Sequence, residues 1–201
     1  MNVLAASTGT GKFIWIDVSN PGSVNDNLAT RASGMFARLY ETGKYFLLGD
    51  AAFPPTPQLI VPFAGKNLDA EKAAFNFHQS SFRMCIERAF GMWRRRFPIF
   101  KRPLEVKAAK VGILVRASMR LHNLMIDAGD YDEGWYRGEI DEDEPAEAQE
   151  VDEDEPAEEQ PAAGSPAEAR RDALKNAIVA EFGTEVALPS HYQALQAIVN
   201  G

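Results

Sequence analysis

Hydrophobic and polar positions follow two periods along the chain. Asn2–Ser7 and Lys12–Ser19 read as strands, with Phe13, Trp15 and Asp17 alternating against Ile14, Ile16 and Val18 as in a strand covered on both faces. Thr8-Gly9-Thr10-Gly11 between them predicts a hairpin turn. Asn20-Pro21-Gly22-Ser23 is a turn, after which Asp26 or Asn27 caps a helix through about Tyr40 that Gly43 ends. Lys44–Asp50 is a short apolar strand, and Pro54, Pro55, Pro57 and Pro62 then impose a surface loop. A short helix is expected from Leu68 or Asp69 to about Asn76. A longer amphipathic one is expected from about Ser81 to Arg96, stopped by Pro98. Its apolar stripe is Phe82, Ile86, Ala89, Phe90, Trp93 and Phe97. Ile99-Phe100 suggests a short extended piece. Pro103 then opens a helix from about Leu104 to Ala128, ended by Gly129 and apolar nearly all round, the pattern of a buried helix. Helical spacing returns from Pro166 to Phe182 and again over Ser190–Val199.

Charge divides the same chain. Residues 1–138 hold 18 Lys and Arg against 12 Asp and Glu, whereas residues 139–201 hold 3 against 17. A basic body with an acidic tail suits a polyanion-binding surface and a segment that competes for it. The acidic part contains Asp141-Glu142-Asp143-Glu144-Pro145-Ala146-Glu147, repeated as Asp152-Glu153-Asp154-Glu155-Pro156-Ala157-Glu158, with too few apolar residues to fold. The expected organisation is a folded unit over 1–130, an acidic low-complexity linker over 131–165 and a short helical segment over 166–201. One cysteine, Cys85, leaves no disulfide framework within the chain. There is no apolar run long enough to span a membrane, and the first residues do not read as a signal peptide. Gly9-Thr10-Gly11-Lys12 lacks the spacing of a phosphate-binding loop.

The candidate chemistry lies on the basic helix. Arg83, Glu87, Gly91 and Arg94 fall in one narrow arc beside the apolar stripe. A carboxylate among arginines suits a metal-bound phosphate, the acid holding the cation and the arginines the phosphate oxygens. Equally, Glu87 one turn from Arg83 can simply form a surface ion pair. Asp50 ends the strand Tyr45–Gly49, where ligands meet an open α/β sheet. Lys66, Lys72 and His78 are candidates for a DNA-facing rim, His78 with packing as its alternative; His122 and Asn123 read as structural.

Several stretches in order carry a resemblance: Leu47-Leu48-Gly49-Asp50-Ala51-Ala52-Phe53-Pro54, Pro62-Phe63, Phe75-Asn76, Arg83 to Phe100, and Leu121-His122-Asn123. Together with Pro21 to Asp26 they resemble the DDE superfamily endonuclease domain of Harbinger-type transposases and the nucleases derived from them. The resemblance covers roughly Asn2 to Asp127. It implies an α/β, RNase H-like nuclease fold, incomplete at its N-terminus, and phosphodiester chemistry on DNA with a divalent metal pair, Mg²⁺ or Mn²⁺. On it, Asp50 matches the second of three metal-holding carboxylates and Glu87 the third, while Asp26, otherwise an N-cap, becomes a supporting residue behind them. The first carboxylate belongs to a strand upstream of the hairpin, so an impaired enzyme, or a DNA- or protein-binding relic, is expected. Arg83, Arg88, Arg94, Arg95 and Arg96 are the expected DNA phosphate contacts. A nuclear protein, with the cytoplasm as a second location, and a separate Myb-like DNA-binding partner are also implied.

Overall fold

A computed structural model describes residues 3–18, 34, 35, 37, 39, 45–130 and 160–184. Most of the predicted helix ending near Tyr40, with Asp26, lies outside the described residues, as do the repeated acidic block and Ser190–Val199. Within the described part the fold is α/β: two small sheets packed on long helices.

Strands β1 (Leu4–Ser7) and β2 (Phe13–Asp17) form an antiparallel hairpin, Leu4 opposite Asp17 and Ala6 opposite Trp15. The turn closes with Thr8 N–H donating to the Lys12 carbonyl at 2.9 Å and Gly11 N–H donating to the Thr8 carbonyl at 3.0 Å. Gly11 is favoured by its φ of +81°, which is left-handed; a Cβ there would displace only the flexible end of Met92. The strand is not covered on both faces: Phe13 is buried, but Ile14 is 58% exposed.

Helix α1 (Ala70–Arg96) is a single 27-residue element. The two helices expected here merge because Phe75-Asn76-Phe77-His78 contains neither proline nor glycine to part them. Asp69 caps the start, its carboxylate accepting from Lys72 N–H at 2.9 Å. Pro98 ends it by excluding helical backbone at Phe97. Pro98–Lys101 is a 3-10 turn rather than an extended piece, and it stacks Phe100 on Trp93 with ring centroids 4.3 Å apart.

Helix α2 (Ala108–Asp127) starts four residues later than expected, after an extended Lys107. It ends at Gly129, whose φ of +78° lets Asp130 N–H reach back to the Met125 carbonyl at 3.0 Å. Only one face is buried, around Val115, Met119, His122 and Ile126; Ile113 and Leu124 are more than 60% exposed. The expectation of an all-round buried helix therefore fails, because the hairpin is narrow and covers one side.

Strands β3 (Leu47–Leu48) and β4 (Leu59–Ile60) are parallel, and helix α3 (Pro166–Phe182) closes over them. Ser165 caps α3 by accepting from Glu168 N–H at 3.2 Å, with Pro166 next in line.

Two hydrophobic clusters result. Phe13, Val18, Ala89, Trp93, Val115 and Met119 hold the hairpin, α2 and the C-terminal half of α1 together. Ile60, Phe63, Phe75 and Ile178 hold β4, α3 and the N-terminal half of α1 together. Each buried aliphatic or aromatic side chain contributes roughly 1.5–3 kcal/mol. None of the described helices is long and apolar enough to cross a membrane.

Candidate functional site

The site is assembled where β3 ends against α1. Gly49 N–H donates to the Ile60 carbonyl at 2.9 Å, continuing the parallel ladder past Leu48. On its other side the Gly49 carbonyl accepts from Gln79 Nε2 at 2.6 Å. A side chain at position 49 would press on Leu59 and Phe53, each 3.1 Å from its Cβ. Glycine lets the strand end approach its loop this closely. Asp50 is thus delivered to a fixed place above α1.

Gln79, Arg83 and Glu87 follow at intervals of four along α1, so they line one face of consecutive turns. Gln79 holds the strand end. Arg83 Nη1 lies 3.4 Å from Asp50 Oδ2, and its Nη2 lies 3.5 Å from Glu87 Oε1. One guanidinium fork joins the two carboxylates that the resemblance singles out. The surface ion pair of Arg83 with Glu87, held open above as an alternative, is present, and it extends to Asp50. The second oxygen of Asp50 accepts from Ala52 N–H at 3.1 Å, which turns the chain into the proline-rich loop. Asp50 is half-buried, and Glu87 is exposed with 60% of its side chain accessible. Asp50 and Glu87 share one guanidinium, and carboxylate oxygens are the donor type that a hard divalent ion takes. Among the described residues, no third His, Cys, Asp or Glu joins them in a metal-ligating group.

The arginines divide. Arg94 and Arg95 are exposed, and Arg88 is half-buried on the same side of α1 as Glu87. Arg96 faces elsewhere. Two residues beyond Arg94 on a helix is a rotation of about 200°. Its guanidinium meets His122 Nδ1 at 3.1 Å and the Asp130 carboxylate at 3.5 Å, with its side chain 7% exposed. Arg96, expected among the phosphate contacts, is turned towards His122 and Asp130. Gly91 lies open, with nothing within 4 Å of an added Cβ.

The rim residues are also reassigned. His78 is 4% exposed and stacks on Phe182 at 4.7 Å, so it packs rather than facing a ligand. Lys72 pairs with Asp69 at 3.0 Å, and Lys66 stays exposed. His122 is fully buried. Its Nε2 lies 3.0 Å from the Gly11 carbonyl, and burial lowers its pKa below the ordinary 6.5. Asn123 clamps Phe13, accepting from its N–H and donating to its C=O, both at 2.8 Å. Asn76 clamps Phe63 in the same way, again at 2.8 Å twice.

Sequence reasoning missed Gln79, Asn76 as a clamp and the docking of α3. Gln79 had a signal: a polar residue four before Arg83 on a helix whose inner face is otherwise apolar.

The sequence profile described as DDE superfamily endonuclease matches residues 1–123, well over half the chain. The chain belongs to that family. It is also 25% identical over 136 residues to Protein ALP1-like of Arabidopsis thaliana, an alignment covering 59% of this chain and 33% of that protein. The chain thus spans about a third of the length of this curated relative. No solved structure matches the chain.

Proposed function

We propose that this member of the DDE superfamily endonucleases carries a Harbinger-type nuclease site of RNase H-like descent, in which Asp50 and Glu87 bind a divalent cation against a DNA phosphate. The observation that carries this reading is the Arg83 fork, 3.4 Å from Asp50 and 3.5 Å from Glu87. Two carboxylates on different elements converge on one positive group, at the end of a strand held by Gln79. Mg²⁺ or Mn²⁺, when bound, supplies Lewis-acid polarisation of the phosphoryl group. Asp50 and Glu87 hold it with hard oxygen donors. Arg83 keeps the acids from repelling one another, and a cation taking its place between them would free its guanidinium for a phosphate oxygen. Arg88, Arg94 and Arg95 extend the positive surface along the exposed side of α1, giving affinity for backbone phosphate rather than base sequence. A nuclear setting and a separate Myb-like protein that selects the target accompany this reading.

Two-metal chemistry needs carboxylates on both cations, and Arg83 joins two, Asp50 and Glu87. An impaired endonuclease that retains metal-coupled DNA binding is the reading this pair supports. In a gel-shift titration, Mg²⁺ or Mn²⁺ should tighten DNA binding by the native chain and leave Asp50→Asn and Glu87→Gln unaffected. Raising salt should weaken binding steeply. Metal-independent affinity equal in all three proteins would overturn the reading. Nicking of supercoiled DNA by the native chain should stay at background. Metal-dependent nicking that both substitutions abolish would instead mean that another acid completes the pair.

A further inference from the structure

Arg83 stands between the two carboxylates without being needed to hold them. Its Nη1 lies 3.4 Å from Asp50 Oδ2 and its Nη2 lies 3.5 Å from Glu87 Oε1. Guanidinium–carboxylate pairs close to about 2.7–2.9 Å when they are strong, so both arms of this fork are long. The side chains of Arg83, Asp50 and Glu87 are 23%, 35% and 60% exposed. Ion pairs this open to water add little stability. Among the described residues the two carboxylates are the only polar partners of the Arg83 side chain, and neither meets a second cation.

Other contacts fix the acids. Gln79, 2% exposed, donates from Nε2 to the Gly49 carbonyl at 2.6 Å and holds the strand end. Asp50 Oδ1 accepts from Ala52 N–H at 3.1 Å. Glu87 stands well inside the 27-residue α1, whose backbone does not depend on one side chain. The carboxylates therefore stay where they are when the guanidinium leaves. Arg83 fills the place between them rather than building it. A divalent ion on the same oxygens would stand next to the guanidinium, and like charges at that range repel. The two cations exclude one another from this place.

We propose that Arg83 holds the metal's place in the free chain and competes with the metal for Asp50 and Glu87. Once displaced, its fork is released to take two oxygens of a DNA phosphate. The arginine is thereby offered to substrate only in a metal-loaded site, which couples the two binding events. This inference rests on the reading of Asp50 and Glu87 as a cation site.

Calorimetric titration of the full chain with Mn²⁺, without DNA, compares the native protein with Arg83→Gln and Arg83→Met. Competition predicts that both variants bind Mn²⁺ at least about fivefold more tightly than the native chain. An arginine that aligns the acids predicts the reverse. Gel shifts at saturating Mn²⁺ and without it then give the metal-dependent gain in DNA affinity. That gain should be at least about threefold smaller in the variants, although they hold the ion more tightly. A third measurement needs no variant to fold. Phenylglyoxal labelling of Arg83 in the native chain, read by peptide mass, should rise at least about threefold when Mg²⁺ is added without DNA. Mn²⁺ affinity unchanged or lowered in the folded variants, an undiminished metal-dependent gain, or labelling that Mg²⁺ leaves level or lowers would overturn the proposal. Where native Mn²⁺ binding is still weakened by Asp50→Asn and Glu87→Gln, such a result removes the role of Arg83 and leaves the cation site standing. Absence of Mn²⁺ binding from the native chain and from both Arg83 variants would remove the site and this inference together.

Discussion

On the hairpin side of α1, Asn123 pairs with both the N–H and the C=O of Phe13. On the Asp50 side, Asn76 pairs with both groups of Phe63, and all four distances are 2.8 Å. In each half a helical asparagine stands in for a neighbouring strand and satisfies backbone that would otherwise be orphaned. The halves differ in what completes them. The hairpin has strands of four and five residues and is covered by α1 and α2, mostly inside the stretch that matches the endonuclease family. The Asp50 half has strands of two residues each and takes Ile178, Leu174 and Phe182 from α3, beyond that stretch. Arg171 lies 3.9 Å over the Phe63 ring and donates to Gln160 Oε1 at 2.7 Å, and Arg170 donates to the Pro57 carbonyl at 3.1 Å. The candidate site thus rests on the half with less sheet of its own, and a helix from about a hundred residues downstream holds it.

Removing residues 160–201 should separate the two halves most strongly. Ile178, Leu174 and Phe182 are lost together, so the Asp50 half should lose about 5 kcal/mol or more of packing. Hydrogen exchange should show Leu47, Gly49 and Leu59 unprotected while Ala5 and Ile16 keep their protection. Equal loss in both halves would mean that they fold as one unit.

Next in size are the two clamps. Asn123→Ala and Asn76→Ala each leave a donor and an acceptor of buried backbone without a partner, at about 2–4 kcal/mol. Urea melts should rank both well above surface substitutions. The local effect should separate them: Asn123→Ala frees the hairpin, whereas Asn76→Ala frees the loop around Phe63.

Acid should act on the hairpin half first. Burial, opposed by the bond to Gly11 and reinforced by Arg96, lowers the pKa of His122 below 6.5. The unfolded chain therefore takes up the proton first. The stability His122 contributes is full above pH 6.5 and is lost as pH falls from there through its lower folded value. His122→Gln should flatten thermal stability over that window relative to the native chain. The smallest effect is expected at Lys175, which reaches Glu71 at 2.8 Å from α3. The pair is partly exposed, and Lys175→Ala should cost less than about 1 kcal/mol.

How much of this was legible in the sequence varies with the kind of information required. The hairpin could be read because its turn glycines and its alternation are local. Asp50 at a strand end and Glu87 on a helical arc could be read because both are short-range patterns; their assignment to a metal site came from the family resemblance. Arg83 was visible as a neighbour of Glu87, but its reach to Asp50 depends on Gln79 holding the strand end, a tertiary contact. The single α1 was missed although Phe75, Phe82, Ile86 and Trp93 keep one helical arc across His78, because its first turns read as a separate short helix ending near Asn76. Periodicity showed α3 as a helix without showing which surface it covers. For α2 the apolar count was correct and the inference was not, since an apolar residue reports a preference for burial and not what is available to bury it.

Calorimetric titration of the full chain with Mn²⁺, in the absence of DNA, reads out whether Asp50 and Glu87 together hold a divalent cation. We expect saturable binding of about one Mn²⁺ per chain, weakened at least about tenfold by Asp50→Asn and equally by Glu87→Gln, with unchanged thermal melts in metal-free buffer. Mn²⁺ binding that persists undiminished in both variants, or that is absent from the native chain, would contradict the account.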